Sequence, residues 1–141
     1  MSENDRASPS FTRQDFENVI ATVLTRRSRP DLLEPLFAPE AEWELNGDPA
    51  AWAYAGRRKS RDAILGYLKA FATEFALLAL ERFETLIEGE QAAVRYAMNL
   101  RHRGTGKQAQ LDCLCFIRVE GGLIVEGVEL LDSAQLFRMR V

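Results

Sequence analysis

An α+β domain, with three N-terminal helices packed on a strongly curved antiparallel sheet, is the fold class this sequence predicts. Three observations carry it. Before residue 76, apolar residues recur at three-and-four spacing in separate segments; after it, they alternate at period two in four long segments. The breaks between the later segments, "EGE", "GTG" and "GG", are short enough to demand antiparallel hairpins. Helices gathered first and a meander afterwards put the helices on one face of the sheet.

The first helix begins at "FTRQDF". Thr12 caps it, Asp15 answers three residues on, and Phe11 staples onto Phe16. Phe16, Val19, Ile20, Val23 and Leu24 form its buried stripe. "RRSRP" ends it, with cations at the negative terminus and Pro30 blocking continuation. "PDLLEPLF" is a short second helix with Leu32, Leu33, Leu36 and Phe37 expected inward. "EAEWELNG" reads as a short strand carrying Trp43 and Leu45 on one side, and "GDPAAWAYAGRRK" as a loop presenting Trp52 and Tyr54. Ser60 caps a third helix whose stripe is Ile64, Leu65, Leu68, Phe71 and Phe75. "ALLALERFETLIE", "QAAVRYAMNLRHR", "KQAQLDCLCFIRVE" and "LIVEGVELLD" are the four strands, long enough that they must twist and curl.

At 141 residues, 47% hydrophobic and 28% charged, the chain is one domain's worth with a sizeable core. Residues 1 to 10 are polar and read as a disordered tail, leaving residues 11–141 as the single domain. No segment resembles a signal sequence or reaches membrane-span length, so a soluble, cytoplasmic protein is expected. A net charge of −3 offers no general attraction to nucleic acid or anionic lipid, and neither is expected as a partner. The basic stretches "RRSR", "RRKSR" and "RHRGTGK" lack a glycine-rich phosphate loop or a nucleic-acid motif. Cys113 and Cys115, two apart on one strand, are poorly placed to bridge each other and read as small buried thiols. With His102 the single histidine, no metal site and no cofactor are expected.

Strand faces follow from alternation. Val94, Tyr96, Met98 and Leu100 share one face, and Leu111, Cys113, Cys115, Ile117 and Val119 share another; both are expected to look toward the helices. The opposite face, with Asp112, Leu114, Phe116 and Arg118, is mixed and expected to support a homodimer. In the last strand each face carries a carboxylate, so alternation does not place Glu129.

The order of elements, with "LLEPLFAPEAEWE", "YAGRRKSRDAILGYL" and "FIRVEGGLIVEGVELLD", resembles the cone-shaped α+β fold of the nuclear transport factor 2-like superfamily, in its SnoaL-like and ketosteroid isomerase-like branch, over residues 12 to 137. "GKQAQLDCLCFIRVEGGLIVEGVELLD" is similar to the last two strands of limonene epoxide hydrolases. That register implies that Glu129 stands where those enzymes carry a catalytic aspartate, facing the pocket beside Leu111, Cys113 and Cys115. Their partner Arg and Asp fall on Tyr96 and Met98, and their water-positioning pair falls near Trp43 and Leu45, so epoxide hydrolysis is not expected. Ketosteroid isomerase chemistry needs a carboxylate base and a Tyr–Asp oxyanion hole; here the first helix has no Tyr, the base position reads "ELNG", and the oxyanion Asp falls near Cys115.

Glu129 is thus the catalytic candidate. A carboxyl facing an apolar cavity is expected to have a raised pKa and to serve as acid or base; the plainer alternative is a Glu at a wet pocket mouth, or one hydrogen-bonded to Trp43 or Tyr96 with no catalytic task. Tyr96 and Trp43 offer polar tips that orient a ligand or simply complete a core. Trp52 and Tyr54 fit either a lid or a dimer contact. Asp132 reads as a cap for "SAQLFRM". The expected site is a cavity for a small apolar molecule, walled by Met98, Leu100, Leu111, Cys113, Cys115 and Leu131 together with Tyr96. Two function classes follow: cofactor-independent acid–base catalysis of isomerase, cyclase or dehydratase type, and a non-catalytic ligand carrier or dimerisation module.

Overall fold

A computed structural model describes residues 10–50 and 52–141. The expected disordered tail lies outside the described residues, apart from Ser10, which is exposed.

Helix α1, Arg13–Thr25, starts as the sequence requires. The Asp15 amide donates to Thr12 Oγ1 at 3.0 Å and the Thr12 amide donates to the Asp15 carboxylate at 2.8 Å. Its stripe of Phe16, Val19, Ile20, Val23 and Leu24 is buried. Helix α2, Pro30–Leu33, runs into a 3₁₀ turn, Glu34–Leu36, and buries Leu33. Leu32 is exposed, contrary to expectation; one turn of helix has too little arc to turn consecutive leucines inward. Helix α3, Arg61–Glu74, is capped by Ser60, whose Oγ accepts from the Ala63 amide at 3.2 Å, and buries Ile64, Tyr67, Leu68 and Phe71. Phe75, placed on that stripe by its spacing, is instead the first residue of the next strand and is buried all the same.

The strands are β1 (Phe37–Leu45), β2 (Gly56–Lys59), β3 (Phe75–Glu88), β4 (Gln91–His102), β5 (Gln108–Glu120) and β6 (Leu123–Leu131), in the order β2-β1-β6-β5-β4-β3. The four hairpin-linked strands are antiparallel as expected, but β1 joins β6 in parallel, so the sheet is mixed. Strand β2 lies within the segment read as a loop. Its "GRRK" has no alternating apolar signal, and it is a strand because β1 offers an edge to pair with. Helix α4, Ser133–Met139, closes the chain, with Asp132 Oδ1 accepting from the Gln135 amide at 3.1 Å. This carboxylate is a cap, as its sequence context indicates. No helix among the described residues is long and apolar enough to cross a membrane.

The ambiguity over β6 has a structural cause. Arg118 pairs with Glu126 but Val119 pairs with Ile124, so Val125 is an extra, bulged residue. Across this bulge the inward set changes phase, from Ile124 to Gly127, Glu129 and Leu131, all buried. Simple alternation fails in the one strand where the candidate acid needs to be placed.

Candidate functional site

Glu129 faces the helices, on the concave side of the sheet, and is 1% exposed. Its backbone neighbours set this up. Cys115 pairs with it on one side and Leu45 on the other. Asn46 then clamps the next stretch: its side chain donates to the Leu131 carbonyl at 2.9 Å and accepts from the Leu131 amide at 2.9 Å. Asn46 therefore acts as a substitute peptide group.

Four side chains converge on the carboxylate. Arg27 Nη1 donates to Oε2 at 2.7 Å and the Tyr96 hydroxyl donates to the same oxygen at 2.8 Å. The indole N–H of Trp43 and the hydroxyl of Tyr67 each donate to Oε1 at 3.2 Å. Trp43 reaches this position because its ring lies across Gly127, its neighbour in the β1–β6 ladder. A Cβ on residue 127 would collide with that ring, so the glycine makes room for one of the four donors.

The electrostatics differ from the sequence expectation. Burial alone pushes the Glu129 carboxyl upward, but the Arg27 charge and its hydrogen bond, together with those from Tyr96 and Trp43, more than offset it; the pKa lies below the usual carboxylate range. Glu129 is an anion, not a raised-pKa acid. Burial would lower the Arg27 pKa, yet the facing carboxylate holds it well above its ordinary value. Burial and the Glu129 charge raise both tyrosines well above theirs, so they remain donors. The same two causes push the Cys113 thiol up to about 12 and raise Cys115, which makes both poor nucleophiles.

Arg27 and Tyr67 are the members of this cluster that sequence reasoning missed. The stripe of α1 continues in step through Val23, Leu24 and then Arg27, so the periodicity pointed inward; the charge made it read as part of a solvated helix end. Tyr67 lies three residues beyond Ile64 on the stripe of α3, where an aromatic reads as core. A buried tyrosine still needs a partner for its hydroxyl.

The proposed wall residues Met98, Leu100, Leu111, Cys113, Cys115 and Leu131 are buried on the concave face or at its edge, and the helices pack down on them. Between the end of α1, Leu68 and Phe71 of α3, Phe75 at the start of β3 and the Leu77–Leu100 pair lies a hollow of about 10 Å³. This is room for one water-sized atom. Arg27, 7% exposed, lines the hollow with its guanidinium 5.5 Å from the centre of the Phe71 ring, and its Nη2 is buried with no hydrogen-bond partner among the described residues. A donor left in this state costs about 1–3 kcal/mol. Trp52 and Tyr54 stand elsewhere. Trp52 is buried between Tyr54 and Phe75, with the Arg140 guanidinium 4.2 Å above its ring. Tyr54 donates to Glu74 at 2.9 Å, and Glu74 also takes two bonds from Arg140, at 2.6 and 2.8 Å, and faces His102 at 2.9 Å. Among the described residues no group of three or more His, Cys, Asp or Glu side chains is placed to hold a metal ion.

A family model described as a SnoaL-like domain matches residues 16–127. The chain belongs to this family. None of the curated proteins matches it. Solved structures share the fold at low identity. A nuclear transport factor 2-like protein of unknown function from Burkholderia pseudomallei is 19% identical over 93% of this chain and 98% of its own, with a TM-score of 0.77. A candidate SnoaL-like polyketide cyclase from a Jannaschia species is 9% identical over 93% of this chain and 94% of its own, with a TM-score of 0.78. A protein of ketosteroid isomerase-like fold from Catenulispora acidiphila, in complex with trimethylamine, is 12% identical over 79% of this chain and 82% of its own, with a TM-score of 0.67. The cone-shaped α+β architecture expected from the sequence is that of this SnoaL-like group.

Proposed function

We propose that the protein binds a small, largely apolar molecule between α1, α3 and the concave face of the sheet, with Glu129 organising the polar groups that receive it. One observation carries this reading: Arg27, whose Nη2 is buried with no hydrogen-bond partner among the described residues, lines a hollow walled mainly by hydrocarbon. A core built only for stability gains little from a buried ion pair, which apolar side chains of similar volume replace at no loss. The trimethylamine complex of a protein with this fold supports small-molecule binding in general.

If the bound molecule reacts, the chemistry is cofactor-independent proton transfer of the isomerase, cyclase or dehydratase type, and Glu129 is its base. Oε2 is held by two short bonds, whereas both bonds to Oε1 are 3.2 Å. Oε1 is the oxygen a substrate C–H would meet once the ligand displaces Tyr67 or Trp43. The test is a thermal-shift screen with steroid-like, terpenoid and aromatic compounds, followed by turnover assays on the hits. A Glu129→Gln variant that retains full activity would remove the residue from the chemistry.

A second reading, a non-catalytic carrier or dimerisation module, draws on the convex face of the sheet. Leu86 is 69% exposed and Phe116 48%, and shallow hollows flank Phe116 on both sides. A homodimer through this face would cover them. Phe116→Lys should shift a sedimenting dimer toward monomer; a native protein that sediments as a monomer at all concentrations overturns this reading. Two free cysteines fit the reducing cytoplasm proposed as its location.

A further inference from the structure

We infer that the ligand carries a carboxylate and that Arg27 is the residue recognising it; this rests on the binding site proposed above. Arg27 divides its guanidinium between two tasks. Nη1 is committed to Glu129 at 2.7 Å, Nη2 is buried with no hydrogen-bond partner among the described residues, and the side chain lines the hollow. The other walls of that hollow are Leu68, Phe71, Phe75, Leu77 and Leu100, with Ser28 exposed at its rim and the small Ala72 beside it. A water there would find one good partner where a well-held buried water has two to four. An oxygen delivered on an apolar body meets both demands: it accepts from Nη2, and the body it rides on replaces the water the hydrocarbon walls hold poorly.

Charge decides between kinds of oxygen. Among the described residues no carboxylate lines the hollow. Around Glu129 there are two cations, Arg27 and the half-buried Arg58, whose guanidinium stacks 4.3 Å from the centre of the Tyr67 ring. One ligand carboxylate brings these groups to balance, whereas a cationic ligand would face Arg27 with no acid to receive it. The approach is basic too. Arg26 adjoins Arg27 at the end of α1, and Arg103 hydrogen-bonds the Ala72 carbonyl at 3.1 Å. A guanidinium pairs more strongly with a carboxylate than with a neutral carbonyl. The hollow accepts one oxygen atom as it stands, so the body of the ligand must part Leu68 and Phe71 from Leu77 and Leu100.

The test pairs each acid with its own amide: benzoate with benzamide, cyclohexanecarboxylate with its carboxamide, octanoate with octanamide. Calorimetric titration of the native chain should show at least one acid binding about tenfold tighter than its amide. Removing Arg27 alone would strand Glu129, so the variant is Arg27→Gln combined with Glu129→Gln, in which the acid's advantage should fall below about threefold. Ala72→Phe, which fills the hollow from a half-buried position and leaves the ion pair untouched, should weaken acid and amide alike, and it decides the matter if the double variant fails to fold. Equal binding of acids and amides overturns the carboxylate inference and leaves the binding site standing. Acid binding that keeps its native strength in Ala72→Phe puts the anion elsewhere and also overturns it. No binding by any compound, acid or amide, removes the proposed site itself.

Discussion

The molecule holds two glutamates in similar company and at different depths. Glu129 sits at the heart of the domain with an arginine, two tyrosines and a tryptophan. Glu74, at the end of α3, has an arginine, a tyrosine and a histidine, and remains 21% exposed. Both pKa values are depressed: for Glu74, to about 2, chiefly by the hydrogen bond from Arg140. The difference lies in what happens when the arginine is removed. Glu74 can turn to water, but Glu129 has nowhere to go. The surface cluster fastens α4 to α3 through Nε and Nη2 of Arg140, both on the Glu74 carboxylate; the buried one leaves Arg27 Nη2 without a hydrogen-bond partner among the described residues. Similar residues thus make a fastener in one place and a fully buried cluster in the other.

The largest effect should come from Arg27→Met. It strands a buried carboxylate, and urea unfolding should show a loss of about 3–5 kcal/mol. Adding Glu129→Leu should return most of that loss, to within about 1 kcal/mol of the native chain. If the single variant is as stable as the native protein, the buried cluster is not an ion pair. Next in size is Gly127→Ala. It drives a methyl group into the Trp43 ring and should cost about 1–3 kcal/mol, with a shift in tryptophan emission as the indole leaves Glu129. An unchanged emission spectrum would argue against that packing.

Acid sensitivity separates the two clusters further. Both carboxylates have depressed folded-state values, so each contributes stability that is present above the ordinary carboxylate range near pH 4.5 and is lost as pH falls through the folded value. Glu74→Gln should flatten the acid limb of stability between about pH 4.5 and 2, by about 1–2 kcal/mol once solvent screening is allowed for. A limb of unchanged slope would assign acid lability elsewhere. The smallest effect belongs to Arg140→Met, about 1 kcal/mol by the same urea measurement, because the freed Glu74 is rehydrated. A loss as large as that of Arg27→Met would erase the contrast between the two sites.

What the sequence discloses depends on range. The Thr12–Asp15 cap, the α1 stripe and the hairpin turns are made within a few residues, and each was legible. The parallel β1–β6 pair forms between distant segments, and β2 joins β1 without an apolar alternation of its own, so neither left a local pattern. Glu129 was identified as the residue to examine, but its orientation was hidden by the Val125 bulge, since one extra residue reverses the phase of alternation. Its partners were hidden by residue type. Arg27 and Tyr67 hold inward positions, yet an arginine at a helix end reads as solvated and a tyrosine on an apolar stripe reads as filler.

The chain separations within the Glu129 cluster carry a consequence for folding kinetics. Arg27, Trp43, Tyr67 and Tyr96 lie 102, 86, 62 and 33 residues from Glu129. Contacts of such range are slow to form, because the entropy of closing long loops opposes them until the rest of the domain is in place. The β5–β6 hairpin can pair early, but its acid must wait, exposed and hydrated, for α1 and β1 to arrive. Desolvation of Glu129 then coincides with closure of the sheet at β1. Loop entropy thus delays the buried Glu129 cluster until the domain becomes native.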